Sequence, residues 1–352
     1  MLFMFGNGFD IAMGLKTSYR DFLMWYLSRK QDNSDIRVMR LKNAIQSDIA
    51  ADINSWADLE MKLGEYTATY NDDEVEDFVA AYRDIKEKLN DYIKLQEKKI
   101  DYDVNGAFVY DELQAFVLHF YEYFPKNLKA ILSNHINGVR DNVVYNFVNF
   151  NYTGTLEKCL NVKDNKVIGT RRPLNLTYTH SIGEVVHVHG EIDNSPLMGV
   201  DNSSQISNES FRDQNSIKWL MLKPHLNREL EHGVVENVTS LISNAYIICL
   251  FGLSLGNSDA SWWRKIGAWL KANDGRKIII FWYSHEKLSP VHADSKLIIE
   301  ESVRKRFAKQ ANLSNEEYES IEQRIFVHVH NEFFKSKLIS NKKRKSAIES
   351  RE

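Results

Sequence analysis

The chain is poor in the residues that would announce a special class of protein. It has only two cysteines and five prolines in 352 residues. Cys159 and Cys249 each lie in an apolar or helical stretch, which excludes a disulfide scaffold and a four-cysteine zinc module and makes both packing residues. No run of about 18 apolar residues is present and no signal-peptide pattern opens the chain, so a cytoplasmic protein without a membrane partner is expected. Charge of one sign is not in excess either: the formal net charge is -3, which gives no whole-protein reason to favour nucleic acid. What is plentiful is core material. Hydrophobic residues make up 43% and aromatics 12%, enough for one large domain or one domain carrying a sizeable insertion.

The chain is organised around its first ten residues. The apolar run Met1 to Phe5 reads as a buried strand, delivered into Gly6-Asn7-Gly8-Phe9-Asp10. Glycine permits positive φ and close approach of a phosphate to the backbone, and a strand, a glycine turn and a helix make an anion site. The third glycine of the dinucleotide fingerprint is absent, so the spacing alone fits a plain strand-to-helix turn equally well.

From Thr17 the pattern is helical for about a hundred residues. Tyr19, Phe22, Leu23, Tyr26 and Leu27 recur at helical spacing, Ser55-Trp56-Ala57-Asp58 reads as a capped helix start, and Val75, Phe78, Val79, Tyr82, Leu89 and Ile93 mark a long amphipathic helix. At Asn142 the character changes. Val143 to Val148 is β-branched and aromatic, and further strands are expected at Glu184 to Glu191, Leu197 to Asp201, Ala245 to Leu250, Lys277 to Tyr283 and Ile325 to His330. Continuous apolar strands separated by helices imply an α/β fold built on a mostly parallel, doubly wound, Rossmann-like sheet. The expected organisation is 1–17, first strand and glycine turn; 18–138, a large helical insertion after that strand; 139–334, the rest of the α/β domain; 335–352, a basic polar tail carrying Lys342-Lys343-Arg344-Lys345.

Ligands of open α/β sheets sit beyond the carboxyl ends of the strands, which makes the polar residues there the site candidates. They are Asn149, Asn151 and Thr153 after one strand, the threonines also fitting as caps of the next helix. His187 and His189 follow on another strand, His189 directly before Gly190; a strand-end histidine fits a general base better than a metal ligand. Phe251-Gly252-Leu253-Ser254-Leu255-Gly256 with Asp259 repeats the opening logic of strand, glycines and helix. The Asn- and Ser-rich stretch 202–216 reads as a mobile loop near the site.

Taken in order, Gly6-Asn7-Gly8-Phe9-Asp10 with Thr17-Ser18-Tyr19, Trp56 with Glu60, Phe150-Asn151-Tyr152-Thr153 with Leu156-Glu157, His187-Val188-His189-Gly190, Leu197-Met198-Gly199-Val200 and Phe251-Gly252-Leu253-Ser254-Leu255 with Asp259 resemble the bacterial AbiH-type abortive-infection proteins. The resemblance spans nearly the whole chain and implies a protein acting in defence against bacteriophage, with a phage-derived trigger and self-association as expected partners. The same landmarks are distantly similar to the sirtuin-like nucleotide-binding fold. That likeness implies an NAD-like nucleotide ligand: Gly6, Asn7 and Gly8 at the pyrophosphate, Asn151 at the nicotinamide ribose, His189 acting at the ribose, and Gly252, Ser254 and Asp259 on the adenosine side. Asp10 and Thr153 complete the expected binding set. Asn7 stands where that fold has a small residue, and Thr153 where it often has Asp. The missing cysteines argue against a deacylase.

The chemistry that fits is hydrolysis of the N-glycosidic bond of NAD, with Asn151 and His189 as the catalytic pair, NAD as substrate or ligand and no metal. A rival is a metal-dependent nuclease or phosphoesterase with Asp10, Asp201, His187 and His189 around a divalent ion. A third reading is a non-catalytic nucleotide-sensing or interaction module.

Overall fold

The computed structural model describes residues 1–29, 35–51, 58–161, 166–172, 175–194, 196–230, 233–284, 293–335 and 338–339. Ser55, Trp56 and the basic cluster Lys342-Lys343-Arg344-Lys345 lie outside them. Strand β1 (Leu2–Phe5) is followed only by helices: α1 (Asn7–Ala12), α2 (Tyr19–Ser28), α3 (Ile36–Ala51), α4 (Leu59–Tyr66), α5 (Val75–Glu97), α6 (Tyr102–His119) and α7 (Lys126–Gly138). Then come β2 (Val143–Asn149), α8 (Thr155–Leu160), β3 (Val167–Arg171), β4 (Tyr178–His187), α9 (Glu209–Arg212), α10 (Asn215–Met221), α11 (Lys223–Leu230), α12 (Val234–Asn244), β5 (Ile247–Phe251), α13 (Ala260–Lys271), β6 (Lys277–Tyr283), α14 (Ala293–Gln310), α15 (Asn315–Ile321) and β7 (Ile325–His330).

The seven strands form one sheet in the order β3-β4-β2-β1-β5-β6-β7. Every pairing is parallel except the edge pairing of β3 with β4. This is a mixed α/β protein with a mostly parallel sheet. Burial explains why the central strands read as unbroken apolar runs, since alternate residues serve two separate cores. Phe3, Phe5, Cys249, Phe251, Ile279 and Phe281 face one layer, where α6 delivers Val109, Leu113, Phe116 and Val117. Leu2, Met4, Ile248, Leu250, Ile278 and Ile280 face the other, against Trp262, Trp263 and Ile266 of α13 and Phe307 of α14. Phe116 lies 5.7 Å from Phe3 and 4.9 Å from Phe281, ring centre to ring centre, and is fully buried. Its truncation to alanine would cost about 3–5 kcal/mol.

A third core joins the early helices to a later segment. Phe22, Tyr26, Leu41, Leu63, Phe78 and Tyr82 pack with Met198, Val200, Ile206, Phe211, Ile217 and Met221. Helices α2 to α5 are thereby docked onto the connection that leaves the carboxyl end of β4. The side chain of Tyr82 donates a hydrogen bond to the Met198 carbonyl, which ties α5 to that connection.

Several expected boundaries are corrected. Leu197 to Asp201 is no strand: a single bridge, Val200 to Leu222, is all that forms, and Gly199 at φ 156° brings the chain against Met221 too closely for a side chain. Strand β4 starts at Tyr178 and stops at His187, so His189 stands beyond it. Strand β3 escapes the sequence reading because Val-Ile-Gly-Thr-Arg at a sheet edge has no apolar alternation. Residues 202–216 are built rather than loose, with the Asn202 and Asn208 side chains capping two short helical turns. The cap of α8 is Gly154, not either threonine.

Candidate functional site

Asn7, Asn151, His189 and Ser254 each follow the carboxyl end of a parallel strand by two or three residues, and the four strands β1, β2, β4 and β5 are neighbours in the sheet. All four therefore stand on one rim. Their side chains are engaged separately. The Asn7 amide donates to the Thr17 carbonyl (2.9 Å) and its carbonyl oxygen accepts the Thr17 hydroxyl, pinning the chain ahead of α2. The Asn151 side chain donates to the Gly6 carbonyl at 3.2 Å, tying β2 to β1. Ser254 is exposed.

The glycine tips of β1 and β5 meet each other. Gly6 N–H donates to the Phe251 carbonyl and Gly8 N–H to the Gly252 carbonyl, both at 2.9 Å. A Cβ on Gly8 would fall 2.5 Å from the Gly252 Cα, and one on Gly252, at φ 66°, 2.7 Å from the Gly8 Cα. These glycines are thus required for backbone-to-backbone packing. In this conformation the Gly6 and Gly8 amides, expected at a diphosphate, are both engaged by the β5 tip.

Two polar groups are buried along the rim. In the first, Asp10 is 1% exposed and accepts a hydrogen bond from the Thr153 hydroxyl at 2.7 Å. Burial, against that hydrogen bond and with Glu97 and Glu157 repelling its charge, pushes the Asp10 carboxyl up to about 7. Nearby, Asn149 accepts from the Asn151 amide and donates toward Glu157. His187 Nδ1 lies 2.9 Å from the Asn151 carbonyl and Nε2 lies 2.6 Å from Glu157 Oε1 and 3.2 Å from Glu191 Oε1. With the glutamates ionised all three partners accept, an arrangement that favours the protonated ring, and His187 clamps the turn after β2. Burial alone would lower its pKa; the two glutamates outweigh burial and raise it.

The second group centres on His189, 5% exposed. Its Nε2 lies 3.1 Å from Asp259 Oδ1, and its Nδ1 is buried without a hydrogen-bond partner among the described residues. In the neutral tautomer that places Nε2–H toward Asp259, the lone pair lies on Nδ1. The Lys223 ammonium, at the start of α11, touches the same Asp259 oxygen at 3.0 Å, Glu60 Oε2 from α4 at 2.7 Å and the Ser258 carbonyl at 3.1 Å. Burial raises carboxylate and lowers ammonium pKa values; here the opposite charges win, holding Asp259 below the usual carboxylate range and Lys223 above its ordinary value. Glu60 goes the other way, raised because burial outweighs Lys223 and His189. Tyr152 donates to the Leu197 carbonyl at 2.9 Å, and the rings of Phe150 and Tyr152 flank the imidazole with centroids at 5.5 and 6.3 Å.

Lys223 and Tyr152 were not among the expected site residues. Nothing in the sequence around Lys223 marks it, whereas Glu60 stood within the family pattern and Tyr152 beside Asn151. The rival metal grouping is not assembled. Asp10 goes to Thr153, His187 to Glu157 and His189 to Asp259, while Asp201 accepts from Ser261 N–H and Arg264 at the start of α13. Among the described residues no three His, Cys, Asp or Glu side chains are arranged to hold a metal ion.

A mostly parallel sheet with a histidine-and-carboxylate pair beyond the carboxyl ends of its strands defines a mixed α/β protein with a polar cluster at the strand tips. More particularly, the chain belongs to the bacteriophage abortive infection AbiH family, whose sequence pattern matches residues 2–282. That membership makes it a bacterial anti-phage abortive-infection protein. No curated protein matches the chain. Among the described residues no helix is long and apolar enough to cross a membrane.

Proposed function

We propose that this abortive-infection protein is a nucleotide hydrolase that cleaves the N-glycosidic bond of NAD on a Rossmann-like, sirtuin-like frame. The observation that carries the reading is His189, held through Nε2 by Asp259 and left with a free Nδ1. Water attacks C1′ of the ribose as the C1′–N bond breaks, the bonding pair neutralises the departing pyridinium, and His189 Nδ1 takes the proton lost by the water. Asp259 orients the ring, and Lys223 keeps Asp259 ionised. Asn151 fixes the rim next to the ribose through Gly6. In this conformation Nδ1 is covered, so helices α4 and α5 must shift on their Gly199 and Met198 contacts before substrate enters, and a phage-derived trigger supplies that shift.

The test is NAD and nicotinamide measured in phage-challenged cells and with purified protein, for wild type, His189→Ala, Asp259→Asn and Asn151→Ala. NAD loss in wild type, slowed at least about 100-fold in His189→Ala, is expected. Unchanged NAD during effective defence by the wild type sinks the proposal. One observation favours a second reading, a nucleotide-sensing module without catalysis: the rim groups Asn7, Asn149, Asn151 and Thr153 are bonded to the protein itself. In that case His189→Ala leaves defence intact.

A further inference from the structure

We infer that the cleft between the end of β6 and helix α14 is a binding site for a nucleoside 5′-phosphate, separate from the His189 network. The cleft has a volume of about 330 Å³ and is lined by Trp282, Ser295, Ile298, Ile299, Ser302 and Arg306. Residues 295, 299, 302 and 306 recur at helical spacing, so one face of α14 presents a hydroxyl, an aliphatic side chain, a second hydroxyl and a cation toward the half-buried indole of Trp282.

The state of Arg306 points to an anionic ligand. Its neighbours on the helix are paired: Arg304 and Lys305 both reach Glu301, and Lys296 reaches Glu300. Arg306 has no ion pair among the described residues; its guanidinium rests over the Trp282 ring, 5.6 Å from the centroid. An exposed cation–π contact is weak, whereas a phosphate offers the guanidinium a bidentate partner and a nucleobase stacks more strongly on the same indole. A nucleotide satisfies both exchanges at once: Arg306 turns from the ring to the phosphate, the base takes its place on Trp282 against Ile298 and Ile299, and Ser295 and Ser302 supply hydroxyls for the ribose or phosphate oxygens. A nucleoside without phosphate, or phosphate without a base, meets only half of this lining. The cleft volume matches the lower range of small-molecule sites.

The full-length protein would be titrated by calorimetry with AMP, GMP, adenosine, inorganic phosphate and a 5′-phosphorylated tetranucleotide, for wild type, Arg306→Ala and Trp282→Leu. Melting temperatures serve as the check on folding, and exposed, unpaired Arg306 should leave that of wild type unchanged. Saturable binding of AMP or GMP, weakened at least about tenfold in Arg306→Ala and absent for adenosine, is the expected result. Tetranucleotide binding with the same dependence on Arg306, in place of mononucleotides, also supports the site and identifies an oligonucleotide end as the source of the phosphate. The inference is overturned if no nucleotide binds, if Arg306→Ala binds as wild type does, or if inorganic phosphate binds as tightly as AMP. Because His189 is untouched, these outcomes are independent of NAD cleavage.

Discussion

Replacing Gly8 by alanine would set a methyl group 2.5 Å from the Gly252 Cα and 3.0 Å from its carbonyl oxygen. Both are backbone atoms of a buried strand tip, so no side-chain rotation relieves the overlap, and overpacking of this kind costs about 1–3 kcal/mol. Gly252→Ala meets the same wall from the other side, at 2.7 Å from the Gly8 Cα. It adds about 1–2 kcal/mol for placing an L-residue in the left-handed region, at φ 66°. The expected losses are therefore about 1–3 kcal/mol for Gly8→Ala and about 2–5 kcal/mol for Gly252→Ala. Gly233→Ala is the control, since φ is 95° there but nothing lies within 4 Å, so only the conformational part, about 1–2 kcal/mol, remains. Urea denaturation reads all three as shifts in midpoint at constant slope. The double variant should cost less than the sum, because tips already pushed apart admit the second methyl. If Gly8→Ala unfolds within about 0.5 kcal/mol of wild type, the tips are not packed as described and their glycines are free to serve a ligand.

Asp10→Asn should stabilise the protein at pH 8. With a folded value of about 7 against 3.8 unfolded, the folded state holds the proton longer. The stability associated with this group is thus full below pH 4 and falls until pH 7, by about 4 kcal/mol at most, and the gain in the variant should vanish at low pH. The reverse sign applies to His330, which burial lowers to about 4 from 6.5 and which has no partner on either ring nitrogen. Its contribution is present above 6.5 and lost as pH falls toward 4, so His330→Phe should flatten the acid limb of the thermal-melt profile by about 2–3 kcal/mol without loss at pH 8. Lys223→Met should cost about 3–5 kcal/mol in chemical denaturation by stranding Asp259 and Glu60, and addition of Asp259→Asn should recover part of it.

The central sheet was legible because its residues answer to two cores at once. Leu2-Phe3-Met4-Phe5 and Ile278 to Phe281 bury every side chain, and only a covered parallel strand needs such a run. Leu197 to Val200 looks just as apolar, yet its residues are buried in the helical core and its backbone bridges Leu222, so hydrophobicity was read correctly and pairing was not. The rim residues were legible as strand ends because polar groups after an apolar strand stand out. What they bond to was not: sequence spacing cannot foretell that Gly8 and Gly252, some 240 positions apart, touch, or that Lys223 reaches back to Glu60. His187 and His189 are two residues apart and share an environment on paper. A carbonyl and two glutamates surround one and favour its protonated form, while the other meets a single aspartate through Nε2.

The coupling of the early helices to the rim follows from where Glu60 sits. It lies on α4, in the core that α2 to α5 share with residues 198–221, and its two carboxylate oxygens reach different elements: Oε2 meets Lys223, while Oε1 accepts from Gly199 N–H at 3.3 Å. A shift of α4 that broke the lysine contact would leave Lys223 with Asp259 alone and Glu60 without its cation, and in a buried setting that redistribution changes the charge facing His189. A displacement of α4 that breaks this contact is therefore not electrostatically silent at the imidazole. An abortive-infection protein must stay inert until infection. On the proposed reading, His189, whose orienting Asp259 is shared with a lysine itself held by the helical layer, gives that layer leverage over the reaction.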